Sequence, residues 1–331
     1  MSGELVQADR QIGLVAIGRN EGERLRTCLV SVVGKVGCVV YVDSGSTDGS
    51  VELAESMGVH VVNLDMTRPF TAARARNEGF AALMKLMPEA KYVQFVDGDC
   101  EVVSGWLDIA LEFLQTNAKV AAVCGRRRER FPNRSIYNAL CDAEWDTPIG
   151  QTRSCGGDVM MRTDALRGVN GYRSDLIAGE EPELCVRLRQ AGWQIWRLGE
   201  EMTLHDANIV RFGQWWKRAM RGGYAFAQGA FLHGAPPESH CVTPVRRLWA
   251  WGLGLPMLIV FGFLFTPWAV LILLAYPLQM LRLASRDQDL RTGRWHRAFF
   301  LVASKFPEMI GALKFTFNRC SGKSGTLIEY K

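Results

Sequence analysis

The sequence predicts an α/β fold, a mostly parallel sheet with helices on both faces. Up to about residue 125, short apolar runs alternate with segments whose apolar residues recur at helical spacing. The short runs are apolar throughout rather than at every second position, as in strands that are covered on both sides. Alternation of strand and helix along the chain is typical of a parallel sheet, because each crossover between parallel strands needs a helix.

The predicted strands are short runs bounded by glycine or acidic residues. They are Ile12–Ile17, Cys38–Asp43, Val59–Leu64, Tyr92–Asp97 and Val120–Cys124. The predicted helices between them are Glu21–Val33, Asp48–Met57, Thr71–Met87 and Ser104–Gln115. Ligands of such sheets bind beyond the carboxyl ends of the strands, where loops gather. Asp43 and Asp97, each the last residue of a predicted strand, are therefore candidate site residues.

Between about residue 126 and residue 247 this alternation weakens, and polar clusters predict loops that build a site. The clusters are Arg126–Arg128, Gly156–Asp158, Gly179–Glu181 and a group of Trp and Arg residues at 214–221. The basic cluster with Arg130 has two interpretations: contact with an anionic lipid-phosphate acceptor, or a solvated basic loop.

A stretch of 34 residues, Leu248–Leu281, contains no charged residue and is closed by Arg246 and Arg247 on one side and Arg282 on the other. One straight helix of that length would measure about 51 Å, against a membrane hydrocarbon core of about 30 Å. Pro267 divides the stretch into two runs near the lower limit for a membrane span. The basic flanks favour a helical hairpin, spanning or re-entrant, with both ends on the cytosolic side. A single tilted helix and a buried helical pair are the alternatives.

The positive charge of the chain is concentrated behind this stretch. From residue 282 onward there are ten Lys or Arg residues against four Asp or Glu residues. A near-neutral body with a basic amphipathic tail predicts helices lying in a membrane interface, with packing against the body as the alternative, and argues against a nucleic-acid-binding protein. We therefore divide the chain into a folded body at 1–240, a membrane hairpin at 241–285 and an interfacial tail at 286–331.

The nine cysteines are scattered and include no Cys-x-x-Cys pair. This pattern predicts a reducing compartment and argues against both a disulfide framework and a structural zinc site. The first ten residues contain two acidic residues and no apolar run, which predicts no secretory signal. We therefore expect the protein to work on the cytosolic side of a membrane.

Asp97-Gly98-Asp99, at the end of a predicted strand, is a candidate metal site. Two carboxylates separated by one small residue can share a divalent cation, and oxygen ligands of this kind suit Mg²⁺ or Mn²⁺. The polar turn at 42–50 brings the Asp43 carboxylate and several backbone amides to the end of an earlier strand. Arg76, near the start of a predicted helix, offers a guanidinium to a diphosphate.

Four motifs, taken in order, resemble the family 2 glycosyltransferases with the GT-A fold. They are Ile-Gly-Arg-Asn-Glu at 17–21, Val-Asp-Ser-Gly-Ser-Thr-Asp-Gly-Ser at 42–50, Ala-Arg-Asn-Glu-Gly at 75–79 and Asp-Gly-Asp at 97–99. Their order and spacing match over roughly residues 12–215. The resemblance implies a GT-A (Rossmann-like) catalytic domain at 1–240 and an inverting transferase that uses a nucleotide-diphospho-sugar with Mg²⁺ or Mn²⁺.

The resemblance also implies a role for individual residues. Those implied to contact the nucleotide are Arg19, Asn20, Glu21, Asp43, Asp48, Arg76 and Asp97. Within this set, Asp43 would bond the nucleobase and Arg76 would approach the diphosphate. The implied metal ligands are Asp99, Asp97 and His205, and a packed histidine is the alternative for the last of these.

Glu180-Glu181 stands where the family has a Glu-Asp pair, so the general base implied by the resemblance is Glu181, with Glu180 beside it. Either carboxylate can deprotonate a hydroxyl, although the extra methylene changes its reach. An acidic helix N-terminus, favoured by the helix dipole, is the structural interpretation. The residues implied to border the donor sugar or the acceptor are Gly156, Gly157, Asp158, Trp215 and Arg218. The last two lie in an element that only partly resembles the Gln-x-x-Arg-Trp element of processive members.

Together these expectations describe a metal-dependent glycosyltransferase of the inner (cytoplasmic) membrane, with its catalytic domain facing the cytoplasm. It would add one sugar to a saccharide or lipid-linked acceptor in exopolysaccharide or glycolipid assembly, and its further partners would be membrane lipids but no nucleic acid. Two alternatives remain open: a polyprenyl-phosphate sugar synthase of the same fold, and a non-catalytic subunit that binds a nucleotide sugar as a scaffold.

Overall fold

The computed structural model describes residues 11–286 and 293–322, together with Gly325 and Ile328. The first ten residues and parts of the basic tail, on which two of the expectations above depend, lie outside these ranges. The chain divides into two compact units, the first made of residues up to Arg130 with Glu144–Leu176 and Glu180–Ala207. The remaining residues, Phe131–Ala143, Ile177–Gly179 and those from Asn208 onward, form the second unit. The division at 240 and 285, which rests on hydropathy, remains a prediction.

A nine-stranded sheet forms the centre of the first unit. Its strands are β1 (Ile12–Gly18), β2 (Cys38–Asp43), β3 (His60–Asn63), β4 (Tyr92–Asp97), β5 (Cys100–Val102), β6 (Val120–Glu129), β7 (Gly150–Thr152), β8 (Val159–Arg162) and β9 (Gln194–His205). The order is β3-β2-β1-β4-β8-β6-β9-β5, with β7 on β9. The first four strands in this order are parallel, whereas β8, β5 and β7 run antiparallel to their neighbours. The predicted α/β sheet is confirmed, and antiparallel strands are added in its second half.

The helices alternate with the strands in the first unit and make up most of the second. They are α1 (Glu23–Val30), α2 (Ser50–Ser56), α3 (Ala72–Leu86), α4 (Trp106–Thr116), α5 (Ile136–Glu144), α6 (Thr163–Gly168), α7 (Glu180–Gln190), α8 (Phe212–His233), α9 (Val242–Trp249), α10 (Leu255–Phe263), α11 (Ala275–Arg286), α12 (Arg294–Ala303) and α13 (Lys305–Cys320). A π-helical turn, Ala250–Gly254, joins α9 to α10, and a 3₁₀ helix, Pro267–Leu274, precedes α11.

Strand β1 shows why the sheet is covered on both faces. Successive side chains of a strand point to opposite sides, and both sides of β1 are apolar. Leu14 packs into a buried cluster with Leu25 of α1 and Trp106 of α4. Its neighbour Val15 packs into a second cluster that includes Leu83 of α3. Helices therefore cover both faces, which explains the uninterrupted apolar runs.

The prediction of a loop at Arg126–Arg128 is wrong, because β6 continues through these residues to Glu129. The extension pairs with β9, with Arg127 opposite Thr203 and Glu129 opposite His205. No local apolar pattern marks this part of the strand. Its conformation is fixed by pairing with a segment more than 70 residues away in the sequence, and propensity within a short window does not report such pairing.

The uncharged stretch in the second unit forms two helical runs that are separated by a turn at residues 264–266. The second run, Pro267–Arg286, has 20 residues with a mean hydropathy of 1.5, enough to cross a membrane by length and composition. Only 11% of its most apolar window is buried, which argues against the buried helical pair. Whether the two runs form a membrane hairpin remains a prediction.

Two glycines allow α8 and α13 to approach each other closely in the second unit. A Cβ atom at Gly223 of α8 would lie 1.9 Å from the carbonyl oxygen of Glu308, and a Cβ atom at Gly311 of α13 would lie 1.9 Å from that of Met220. These separations are far below a van der Waals contact, and the obstructing atoms belong to the backbone. Even one methyl group would therefore push the helices apart.

We predict that Gly223→Ala lowers the free energy of unfolding by about 1–3 kcal/mol, the usual cost of overpacking a tight contact. Gly222→Ala is the matched control: it lies on the same helix and its Cβ would meet no atom within 4 Å. Since alanine has the higher helix propensity, this control should be neutral or more stable by up to about 1 kcal/mol. Thermal or denaturant unfolding of both variants measures the difference, and equal behaviour would contradict the tight helix contact.

Candidate active site

The carboxyl ends of β1, β2 and β4 lie side by side at one edge of the sheet. Gly18 of β1 is opposite Asp43 of β2, and Ile17 is opposite Asp97 of β4. Because these strands are parallel, both aspartates reach the same edge, where ligands of such sheets bind. The structure thus brings together two site residues that the sequence places more than fifty positions apart.

Asp43 holds the turn that follows β2. Its Oδ2 accepts hydrogen bonds from the backbone amides of Gly45 (2.9 Å) and Ser46 (2.8 Å), and its Oδ1 accepts one from the Tyr41 hydroxyl (3.1 Å). Burial and the adjacent carboxylate raise the pKa of Tyr41, so the hydroxyl stays protonated and remains a donor. Asp43 therefore shapes the turn itself, and contact of its remaining lone pairs with a nucleobase remains a prediction.

The first two loops are tied together by Asn20. Its backbone amide donates to Ser46 Oγ (2.8 Å), and its Oδ1 accepts from the Thr47 amide (2.8 Å). Asp48 accepts from the backbone amide and the hydroxyl of Ser50 at the start of α2. These bonds join the loops after β1 and β2 into one rim of the site.

The two residues beside Asn20 differ in their surroundings. Arg19 is exposed, whereas Glu21 is half-buried and pairs with Arg24 at 2.7 Å. The structure therefore places the Ile-Gly-Arg-Asn-Glu motif on the rim with one exposed cation and one neutralised acid.

Arg76 of α3 bridges two carboxylates. Its Nη2 lies 2.8 Å from Asp97 Oδ1, and its Nη1 lies 2.6 Å from Glu180 Oε1 at the start of α7. The side chain is almost fully buried. Burial alone would lower the pKa of this guanidinium, but the two carboxylates outweigh it and raise the pKa. Arg76 thus stays charged and fixes Glu180 and Asp97 at the same point.

Arg127 lies in β6, whereas the sequence placed it in a basic loop and indicated none of its partners. It contacts Asp97 Oδ2 (3.2 Å) and Asp158 Oδ2 (3.5 Å), and its guanidinium lies over the ring of Trp145, 4.9 Å from the centroid. Asp97 is consequently held between Arg76 and Arg127. Although burial favours the neutral acid, the two guanidinium groups lower the pKa of Asp97, so its carboxylate is ionised.

A signal for Arg127 exists in the sequence only if β6 is extended through the charged run. Alternate residues of a strand share a face, so Arg127 and Glu129 would then point to the same side, with Arg128 on the other. The structure has this arrangement: Glu129 is buried, whereas Arg128 makes an exposed ion pair with Glu201. Because the apolar residues of this run end at Cys124, the predicted strand ends there too. The alternation of side chains between its two faces at residues 127–129 is therefore not predicted.

Asp158 and Gly157 allow this charged cluster to be compact. Asp158 is buried, accepting from the Asp97 backbone amide (3.0 Å) and from the Thr203 hydroxyl (2.8 Å). A Cβ at Gly157 would lie 2.8 Å from Arg76 Nη2 and 3.0 Å from Asp97 Oδ2. Gly156, with φ +103, has a backbone conformation that suits glycine. The Gly156-Gly157-Asp158 segment thus lies against Asp97, and Asp158 links β4 to β9.

Asp99 and His205 form the second half of the cluster. His205 Nε2 lies 3.2 Å from Asp99 Oδ2, and its Nδ1 lies 4.0 Å from Glu129 Oε2. The pairing of β5 with β9 sets this geometry, because it puts Cys100 opposite His205. The ring of Trp145 lies 4.8 Å from the imidazole centroid. Two of the three metal ligands implied by the resemblance are therefore in direct contact.

The donor atoms of this cluster fit a hard divalent cation. Ligand atoms of Asp99, Cys100 and His205 lie within 4.8 Å of one another, as do those of Asp97, Cys100 and Asp158. Burial and the surrounding carboxylates raise the pKa of the Cys100 thiol well above its usual value, so it is not a thiolate ligand. Carboxylates and one imidazole remain, a donor set that suits Mn²⁺ or Mg²⁺ better than a thiophilic metal.

The two candidate bases differ sharply in their surroundings. Glu180 is paired with Arg76 as described, whereas Glu181 is 2% exposed. Glu181 Oε1 accepts from the Cys155 amide (2.7 Å) and from the Cys185 thiol (2.9 Å). Its Oε2 is buried, with no hydrogen-bond partner among the residues that the structure describes. Burial is the main reason that the pKa of Glu181 is raised. The chain thus holds one carboxylate engaged by an arginine and one that is poised to take up a proton.

Trp215 and Arg218 belong to the second unit, on α8. Trp215 is buried there, with its ring 4.9 Å from that of Phe300 and 6.5 Å from that of Tyr137. The described structure gives Trp215 a packing role within this unit. Contact of either residue with a sugar remains a prediction.

We predict that substitution of two neighbouring arginines of β6 changes the free energy of unfolding by different amounts. Arg127→Met leaves Asp97 and Asp158 without a guanidinium between them, so we expect the free energy of unfolding to fall by about 3 kcal/mol. Arg128→Met, one residue along β6, removes an exposed ion pair with Glu201 and should cost less than about 1 kcal/mol. Denaturant unfolding of both variants near neutral pH tests this, and equal losses would mean that Arg127 does not balance the buried carboxylates.

Comparison with known proteins agrees with this geometry. Residues 15–169 match the family model described as glycosyl transferase family 2. The chain is 24% identical over 217 residues to glycosyltransferase AglE of Haloferax volcanii, covering 62% of this chain and 69% of that protein. It is 26% identical over 185 residues to the succinoglycan biosynthesis protein ExoA of Rhizobium meliloti, covering 53% of this chain and only 54% of that protein.

A similar structure is that of a mannosyltransferase from Pyrobaculum calidifontis in complex with GDP-Man and Mn²⁺. It has a TM-score of 0.64 at 17% identity, and the match covers 93% of this chain and 88% of that one. At this identity the likeness concerns the fold, and it confirms the predicted GT-A architecture. The family match, the fold and the four motifs agree, and the chain carries a family 2 glycosyltransferase domain.

Proposed function

We propose that this protein transfers a sugar, with inversion, from a nucleotide-diphospho-sugar to a hydroxyl group of a saccharide acceptor. The observation that carries the proposal is the cluster at the sheet edge: Asp97 between Arg76 and Arg127, beside the Asp99–His205 pair. A nucleoside diphosphate needs cationic groups and a divalent cation where its charge develops. This edge holds both the guanidinium groups and a donor set for the cation.

The rim formed by the first two loops would bind the nucleoside. Asn20 locks the loop after β1 to the turn held by Asp43, so the rim is formed before a ligand arrives. Preorganisation of this kind lowers the entropy cost of binding. Asp43 would bond the base, Arg19 and Glu21 would lie beside base and ribose, and Arg76 would face the diphosphate.

Asp99 and His205, with Asp97, would hold Mn²⁺ or Mg²⁺. When bound, the ion supplies positive charge that stabilises the departing nucleoside diphosphate. The proposal is supported by the donor set of this chain and by the Mn²⁺ named with the structurally similar mannosyltransferase.

Glu181 would be the general base. An inverting transfer needs one base to take the proton of the acceptor hydroxyl as that oxygen attacks the anomeric carbon. Glu181 Oε2 is buried with no hydrogen-bond partner in the described part of the chain, and burial raises the pKa of Glu181, so the carboxylate gains by accepting a proton. Glu180 would act differently, by holding Arg76 in place.

The acceptor would be lipid-linked, and the protein would act at the inner membrane with its catalytic domain in the cytoplasm. Support comes from the exposed 20-residue apolar helix Pro267–Arg286 and from the relative named for succinoglycan biosynthesis. Exopolysaccharide or other glycolipid assembly is a process that needs both a nucleotide sugar and a membrane-held acceptor.

A donor screen with the full chain tests the function as a whole. Release of nucleoside diphosphate from a panel of nucleotide sugars is measured first with a lipid-linked saccharide and then with polyprenyl phosphate as acceptor. Turnover with the saccharide supports our proposal, whereas turnover with polyprenyl phosphate alone would assign a polyprenyl-phosphate sugar synthase. Tight donor binding without release under any condition would indicate a scaffold subunit.

We predict that Glu181→Gln lowers kcat by at least about 10²-fold, while Glu181→Asp keeps part of the activity because it retains a carboxylate. The raised pKa sets the pH dependence. Glu181 is protonated, and useless as a base, up to a higher pH than an ordinary carboxylate, so kcat/KM falls as the pH drops through that raised value. Glu180→Gln serves as the control variant at the neighbouring residue. It should raise KM for the donor, and its kcat/KM should still fall at low pH as in the unsubstituted protein. Full activity of Glu181→Gln would falsify the assignment of the base.

Removal of divalent cations should stop turnover, and Mn²⁺ or Mg²⁺ should restore it. Titration calorimetry with Mn²⁺ provides a readout other than activity: Asp99→Asn and His205→Gln should each weaken the affinity at least about tenfold. Glu101→Gln serves as the control, because this carboxylate lies two residues beyond Asp99 and pairs with Arg130 instead. Unchanged Mn²⁺ affinity in both ligand variants, or turnover after chelation, would contradict the metal site.

A further inference from the structure

The helices of the second unit form an open cavity of about 410 Å³, and the arginines in its lining are exposed. It is formed within this unit alone, between α9, the π-helical turn, α11, α12 and α13. The lining residues are Arg247, Trp251, Gln279, Arg282, Leu283, Arg286, Leu301, Val302 and Lys305. Four of these nine side chains are cationic, and none of them is acidic.

The positive charge of this cavity is largely uncompensated. Among the described residues, no carboxylate lies within 4.0 Å of Arg247, Arg282 or Arg286, whereas Lys305 Nζ pairs with Glu308 Oε2 at 2.6 Å. Like charges gathered around one space repel each other, and a cluster of this kind is favourable once an anion shares the space. The cavity therefore fits an anion with several oxygen acceptors, which guanidinium groups bind in pairs.

The residues of α11 that line the cavity lie on one face of that helix. Gln279, Arg282, Leu283 and Arg286 stand at positions i, i+3, i+4 and i+7, which lie on one side of a helix. Three of these four residues are polar, and Leu283 is apolar. One side of α11 thus supplies three polar side chains to the cavity and one apolar side chain to its wall.

The surroundings of the cavity favour a lipid head group as this anion. Arg282 and Arg286 end the 20-residue apolar segment that starts at Pro267. Along this segment the exposed side chains include Leu271, Leu273, Leu274, Leu278 and Leu281. A soluble anion needs no such surface, whereas a lipid whose phosphate lies among the arginines has acyl chains that would follow it. Trp251 in the lining is a residue type favoured at membrane interfaces.

We propose that this cavity binds the phosphate of an anionic membrane phospholipid, with Arg247, Arg282, Arg286 and Lys305 as its ligands. Its volume of about 410 Å³ exceeds that of one phosphate and admits a phosphoglycerol head group. The inference rests on the proposed membrane association but not on the sugar-transfer chemistry. The site anchors and orients the second unit at the membrane surface through one specific lipid, in addition to diffuse attraction between basic residues and anionic lipids.

The test uses the full chain and two double variants of equal charge. Arg282→Gln with Arg286→Gln removes two ligands of the cavity, whereas Arg246→Gln with Arg294→Gln removes two exposed arginines that do not line it. All three proteins are titrated with vesicles of phosphatidylcholine, alone and with a minor fraction of phosphatidylglycerol. Native mass spectrometry from detergent micelles then counts phosphatidylglycerol molecules retained by each protein.

We expect the unsubstituted protein to retain one phosphatidylglycerol and to prefer the anionic vesicles. The cavity variant should lose the retained lipid and bind anionic vesicles at least about tenfold more weakly than the control variant, because its two guanidinium groups bond the phosphate directly. Both variants lose the same diffuse attraction between basic side chains and anionic lipids. The control variant should keep the lipid. Equal losses in both variants would show diffuse attraction only and overturn the site. Binding of inorganic phosphate as tight as that of the vesicles would overturn the assignment to a lipid.

Failure of this inference can be told apart from failure of the proposed function. Vesicle binding that does not depend on phosphatidylglycerol would leave membrane association standing and remove the phosphate site. No binding to any vesicle would remove both the site and the membrane association. Release of nucleoside diphosphate, measured in detergent with the cavity variant, should be unchanged, because none of its substitutions lies among the residues assigned to the reaction.

Discussion

The site is organised by one interaction, the half-buried Asp97 carboxylate held between the guanidinium groups of Arg76 and Arg127. A single ionised acid in this position would be costly, and a single arginine would leave one of its oxygens unmatched. With both, three separate elements (α3, β4 and β6) are fixed at one point. Asp158 and Glu180 add β8 and α7 through the same two arginines.

This arrangement leaves the sheet edge with more acids than bases. Around the two arginines stand Asp97, Asp158 and Glu180, and next to them Asp99 and Glu129 flank His205. Carboxylates that outnumber cations in a buried space attract a divalent cation and repel a free diphosphate. The same carboxylates that hold the fold together at this edge therefore make it suited to a divalent cation.

The sequence predicts the parts of this site that are marked by strand ends and by the resemblance. Asp43, Asp97 and Asp99 stand directly after apolar runs, and β2 and β4 have the predicted bounds. Arg127 could not be found in this way, because its strand is set by pairing with β9 and the residues around it carry no apolar pattern. The sequence does not predict the burial of Glu181 either, because an acidic residue shortly after Gly179 resembles a solvated helix start. The contacts of Glu181 with Cys155 and Cys185 become apparent only in the fold.

The arginines of the second unit have different surroundings from those of the first unit. In the first unit arginines are buried and matched by acids, whereas Arg247, Arg282 and Arg286 line a cavity to which the described residues contribute no acid. Beside them a row of leucines is exposed to the surroundings, an arrangement that is unfavourable in water alone. Both features become favourable at an anionic membrane surface, where acyl chains cover the leucines and phosphates meet the arginines. Our proposal of a lipid-binding cavity rests on these two features together.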